Sequence, residues 1–170
     1  MLKERPKSIL LLDFDECDAA EELAPQLGSR FGLLTTTQRI ATPAIVRVSE
    51  GQQRADDLLH EISDLRSQLK HTYALGFTNA DIFVRGLNFA FGVGSPEHRS
   101  ALVSTFRLAM PYPQLFRQRV LKEAIHELGH VFGLDHCSNA RCVMHFSNSI
   151  EDTDFKGTEF CTKCTKGIRI

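Results

Sequence analysis

Residues 123–136 read Glu123-Ala124-Ile125-His126-Glu127-Leu128-Gly129-His130-Val131-Phe132-Gly133-Leu134-Asp135-His136. Upstream and within it, Leu115, Val120, Leu121, Ile125, Leu128 and Phe132 recur at helical spacing, so 114–132 is predicted to be a helix that stops at Gly133. His126 and His130 are four apart and project from one face about one turn apart, where both imidazoles can grip a single ion. Glu127 adjoins His126 and can reach a water on that ion. A third histidine six residues after His130 cannot lie on the same helical face at the same height. The chain must turn sharply, and Gly133 is the residue able to take up the left-handed conformation such a turn demands. His126, His130 and His136 are therefore candidate ligands of a catalytic zinc, and Glu127 the candidate general base. Zinc with three protein ligands keeps an open position and lowers the pKa of a water there to about 7.

Working outward toward the C-terminus, the chain becomes polar, glycine-dotted and rich in cysteine, with few residues able to build a core. Four of the five cysteines, Cys137, Cys142, Cys161 and Cys164, fall in the last 34 residues. Cys161-Thr162-Lys163-Cys164 offers two thiolates on a tight turn, and Cys137 with Cys142 can supply the other two. Four thiolates close a tetrahedral shell, which is the donor set of a structural zinc and a source of order for this tail. A redox Cys-x-x-Cys would leave the other two cysteines unexplained. Cys17 is expected to be a free thiol.

The extended histidine motif resembles that of the metzincins, zinc peptidases in which three histidines bind zinc and the glutamate is the general base. Met144, eight residues after His136, matches the family's methionine, which packs beneath the zinc without binding it. With the cysteines added, the pattern is similar to that of the archaemetzincins: the histidine motif runs straight into Cys137-x4-Cys142-x-Met144 and a later Cys161-x-x-Cys164. The matching motifs span Glu123 to Cys164, about a quarter of the chain. The interval between Met144 and Cys161 is one residue shorter than the family pattern and leaves every ligand in place. Some metzincins carry a tyrosine two residues after the methionine; here Phe146 has no hydroxyl, which leaves His145 and Tyr112 as conceivable helpers at the oxyanion.

The resemblance implies an α/β fold: a mixed, mostly parallel twisted sheet with an antiparallel edge strand, packed on helices that include the zinc-binding one. It implies one catalytic domain over 1–170, with sheet and helices in 1–133 and a zinc-stabilised subdomain in 134–170. It further implies two zinc ions per chain, one catalytic and one structural, and hydrolysis of a peptide or protein substrate by a zinc-activated water. In such enzymes the substrate adds to an edge strand of the sheet, for which Asn88–Val93 is the candidate. A propeptide has no room before the sheet, so a weak, latent or aminopeptidase-like enzyme stays open. The rival expectation is a non-catalytic zinc-binding regulatory or interaction module on the same scaffold.

The N-terminal half supplies the rest of the sheet. Ser8 to Asp13 reads as a buried strand, Cys17 to Arg30 as a short helix ending at Gly28, and Ile45 to Val48 as a second strand. Arg54 to His71 carries Leu58, Ile62, Leu65 and Leu69 on one stripe and is the clearest helix of this half; His60 and His71 are expected to be solvated. Asp81 to Arg85, Asn88 to Val93 and Ala101 to Leu108 read as strands. The turn at 94–97 is short enough for a hairpin, making one strand antiparallel.

Composition narrows the partners. With 20 basic and 21 acidic residues the net charge is -1, so no overall field favours nucleic acid or an anionic membrane. A basic stretch of Lys156, Lys163, Lys166 and Arg169 is too short and too poor in aromatics to suggest a nucleic-acid surface. No stretch approaches the roughly 20 apolar residues that span a bilayer. The run Ile9 to Leu12 is too short for a signal peptide. Together with clustered cysteines suited to metal, this predicts a cytoplasmic protein.

Overall fold

The computed structural model describes residues 6–15 and 17–170. Ser8–Phe14 forms β1, buried from Ile9 onward as expected for a strand covered on both faces. At its end Asp13 turns a carboxylate oxygen onto the Ala20 N–H (2.9 Å), satisfying a donor in the first turn of α1, Ala19–Phe31. This helix continues past Gly28, where its end was expected. Pro25 costs it little because both Pro25 and Glu21, whose carbonyl loses its partner, stand on the exposed face. Gly28 serves close packing: a Cβ there would lie 2.9 Å from Thr35 Cγ2. The helix stops at Gly32, φ 64°.

The second strand lies elsewhere than expected. It is β2, Leu34–Ile40, parallel to β1 with Ser8 opposite Leu34 and Phe14 opposite Ile40. Residues 44–46 turn, Ile45 is 78% exposed, and only Val48 of the expected stretch is extended, in β3 (Val48–Ser49), antiparallel to β4 (Gln52–Arg54). Polar β2 sits at an edge and is almost wholly exposed, so it carries no apolar alternation. Helix α2, Ala55–Gln68, buries Leu58 and Ile62 as its stripe predicts, while Leu69 beyond its end is exposed.

The middle of the sheet is β5, Tyr73–Thr78, wholly buried and parallel to β1. Nothing in the sequence marked it, because Gly76 interrupts its short apolar run. That glycine is required by the neighbouring layer, since a Cβ would come within 2.5 Å of Ile62 Cδ1 and 2.9 Å of Phe14 Cε2. The three strands expected next are shorter than predicted, and the middle one is displaced: of the expected 88–93 only Gly92 and Val93 are extended, Ala90 makes an isolated bridge to Ile82, and Gly94 and Ser95 of the expected turn lie in the strand instead. They are β6 (Ile82–Phe83), β7 (Gly92–Ser95) and β8 (Ser100–Ser104), the last followed by a 3-10 turn at Phe106–Leu108. β7 and β8 form the expected antiparallel hairpin, with residues 96–99 as its loop. β8 is parallel to β5, giving a sheet ordered β2-β1-β5-β8-β7; β3, β4 and β6 form a small second sheet. The fold is the expected one: mixed, mostly parallel, with an antiparallel strand at the edge.

Alternate residues of the central strands feed two cores. Ile9, Leu11, Leu75, Phe77 and Val103 face α1 and the long helix α3, Pro113–Val131, while Leu10, Leu12, Ala74 and Leu102 face α2. Pro113 occupies the first turn of α3, where its missing N–H is no loss. Beyond α3 only two short helices follow, α4 (Ile150–Phe155) and α5 (Thr162–Gly167). Cys142, Val143, Met144 and Cys164 join the α1/α3 core.

Candidate active site

Helix α3 places Glu123, His126, Glu127 and His130 along the floor of a cleft of about 620 Å³, whose other wall is the segment Asn88 to Gly94. At the end of the helix Gly133 has φ 88°, and the Leu134 N–H closes onto the Gly129 carbonyl at 2.9 Å. That turn brings His136 back over the helix, its ring centroid 4.8 Å from that of His130 and 5.3 Å from that of His126. One nitrogen from each of the three rings lies within 4.8 Å of the others.

The hydrogen bonds decide the tautomers. His126 Nδ1 is 2.8 Å from the Val143 carbonyl and His130 Nδ1 is 2.7 Å from the Leu134 carbonyl. A carbonyl only accepts, so both Nδ1 atoms donate, and both Nε2 atoms carry bare lone pairs. These face each other at 3.2 Å. Two acceptors so placed repel unless a cation lies between them, and two nitrogens on one tetrahedral zinc stand about 3.3–3.4 Å apart. Burial, acting on all three rings, lowers their proton affinity and keeps them neutral, as ligation requires. The donor set fits zinc.

Glu127 lies beneath the edge strand, where a Cβ at Gly92 would be 2.7 Å from its Cγ and Oε1. Its carboxylate makes no hydrogen bond to protein among the described residues. Burial pushes its pKa well above the usual carboxylate range, Glu123 adds to the rise, and Lys156 offsets part of it. Met144 is fully buried under the helix, and any side chain at Gly129 would strike its sulfur. Phe146 packs on His136 with ring centroids 4.9 Å apart. Tyr112 is 69% exposed at the start of α3, and His145 turns Nδ1 to the Cys137 carbonyl; neither lines the cleft.

One pair was missed at the sequence level. Lys156 is 1% exposed and its Nζ lies 2.9 Å from Glu123 Oε1, which also accepts from Thr153 Oγ1 at 3.2 Å. Glu123 could have been singled out, being one helical turn before Glu127 on the same face. Lys156 could not, since its partner is 33 residues away. Its burial removes it from the basic stretch considered for nucleic acid. Next to it, Arg119 grips Asp154 with two bonds of 2.6 Å, and Lys122 donates to the Thr153 and Asp154 carbonyls at 3.0 Å.

Sulfurs of Cys137, Cys142, Cys161 and Cys164 also lie within 4.8 Å of one another, with no disulfide among the described residues. Cys137 and Cys161 Sγ are 3.8 Å apart, matching the roughly 3.8 Å expected for two thiolates on one tetrahedral zinc. Backbone N–H groups of Asn139 and Cys161 donate to the sulfurs of Cys137 (3.5 Å) and Cys142 (3.3 Å). Cys17 stands apart from this cluster, buried, with its thiol pushed up to about 11 by burial.

A family model described as peptidase family M54 matches residues 30–170. The chain belongs to that family. An archaemetzincin of Pyrococcus abyssi is 49% identical over 116 residues, covering 63% of this chain. The match covers 60% of that relative, so the chain spans less than two thirds of its length. Two solved archaemetzincins share the fold throughout. The archaemetzincin of Archaeoglobus fulgidus, complexed with malonate, has a TM-score of 0.84 at 34% identity, covering 95% of this chain and 99% of that one. The archaemetzincin of Methanopyrus kandleri has a TM-score of 0.84 at 31% identity, covering 98% and 96%. No helix among the described residues is long and apolar enough to cross a membrane.

Proposed function

We propose that this chain is a zinc-dependent peptidase in which His126, His130 and His136 hold the catalytic zinc and Glu127 is the general base. The observation that carries the reading is the convergence of three neutral imidazoles, with the 3.2 Å approach of two bare Nε2 atoms, on a cleft containing an unpartnered carboxylate. A zinc ion held by three imidazoles supplies Lewis acidity and an acidified water at its open position. Glu127 takes the proton of the attacking water and delivers it to the leaving amine. Burial raises its pKa above the ordinary carboxylate range, the direction that favours a group which must both accept and release a proton. An extended peptide or protein substrate adds to the free edge of β7, its scissile carbonyl lying over the helix.

Cys137, Cys142, Cys161 and Cys164 hold the second, structural zinc, which orders residues 134–170 as a subdomain on the sheet-and-helix body of 1–133. Four cysteines gathered into one metal-binding cluster favour a reducing compartment, the cytoplasm. A purely structural role for the histidine site has less support, because a closed site has no use for a cleft or for a buried carboxylate without a partner.

Replacing Glu127 with Gln is expected to leave two zincs per chain and reduce cleavage of a mixed peptide library by about 10²–10⁴-fold. Undiminished cleavage by that variant sinks the assigned base, and a metal content unchanged by His130→Ala sinks the assigned ligands.

A further inference from the structure

The two candidate metal clusters share one ribbon of chain. His136 is followed directly by Cys137. The Cys137 N–H donates to the Met144 carbonyl at 2.9 Å, and the Cys137 carbonyl accepts from His145 Nδ1 at 3.0 Å. Val143, whose carbonyl orients His126 at 2.8 Å, directly follows Cys142 and is itself held by the Glu159 carbonyl at 3.0 Å. One histidine is thus bonded to a cysteine of the cluster, and a second is aimed by a carbonyl next to another.

The four cysteines are not equivalent. Cys142 and Cys164 are buried, whereas Cys137 and Cys161 are partly open to solvent and have their sulfurs 3.8 Å apart. An oxidant meets these two first, and a small movement brings them to bonding distance.

We infer that Cys137 and Cys161 are a site of oxidative modification by peroxide, and that their disulfide uncouples both metal sites. The inference rests on the reading that both clusters hold zinc. One thiolate attacks hydrogen peroxide, forming a sulfenic acid and releasing hydroxide. The other thiolate then attacks that sulfur, the S–S bond forms, and a second hydroxide leaves. Two thiolates are oxidised by two electrons and the peroxide is reduced to two waters once protons are taken up. Cys142 and Cys164 alone cannot fill a tetrahedral shell, so the structural ion departs. The loop that places His136 and aims His126 then loses its anchor.

The test treats the zinc-loaded full chain, and its Cys17→Ser variant, with one equivalent of hydrogen peroxide. Peptide mapping by mass spectrometry should find Cys137 joined to Cys161, and a chromophoric chelator should detect one zinc released per chain. Competition titration should show the remaining zinc bound about tenfold or more weakly, as when the groups orienting a ligand are lost. A thiol reductant with added zinc should restore both sites. A disulfide at any other pair, no disulfide, or unchanged affinity at the histidine site overturns the inference. A chain without zinc on its cysteines fails the two-zinc reading separately, and the mapped pair still decides the modification site.

Discussion

Glu123 and Lys156 meet where neither has water to fall back on, both nearly fully buried at 2.9 Å. Removing one partner strands the other. Lys156→Met is expected to destabilise the chain by about 3–5 kcal/mol in urea unfolding, and the double variant Glu123→Gln, Lys156→Met to recover most of that loss. A double variant no better than the single one would show that the lysine matters for packing alone. The histidines make a different prediction. Burial lowers each of their pKa values below the ordinary 6.5, so protons compete for these nitrogens less than for free imidazoles. Apparent zinc affinity at the histidine site should fall most steeply below pH 6.5; a fall centred above 6.5 contradicts the burial argument. At this scale the clustering of the three histidines was legible in the sequence because their spacing is local. Lys156 was not, because a buried pair made across 33 residues leaves no periodic trace.

Among the elements, α3 and β7 are the pair on which the cleft depends, and glycine sets their distance. A Cβ at Gly94 would collide with the Glu127 carbonyl and stand 2.9 Å from His130 Cβ. Because backbone cannot rotate aside as a side chain can, Gly94→Ala should push the edge strand off the helix, costing about 1–3 kcal/mol in thermal unfolding. It should also lower peptide cleavage; a variant with full stability and activity would show that the strand has slack. The long helix α3, the amphipathic α2 and the buried β1 were legible because each carries a sustained apolar period. β5 and β2 were not. The first is interrupted by Gly76, demanded by Ile62 and Phe14 from other elements. The second is polar because it has a neighbour on one side only.

For the whole molecule, order comes from two sources. The central strands bury nearly every side chain, whereas residues 134–170 contribute few to the core and meet at four cysteines. Chelation is expected to strip amide-exchange protection from 134–170 first while β1 and β5 keep theirs. Simultaneous loss everywhere would mean that the metals and the sheet fold as one unit. The sheet also ends unequally on its two sides. β2 offers threonines, a glutamine and Arg39, the last paired with Asp18, along a strand open to water, whereas β7 opens onto a cleft between helix and loop. A hydrated, charged border discourages another chain from docking there. Among the described residues, the only border of this sheet that gives onto a cleft is therefore that of β7.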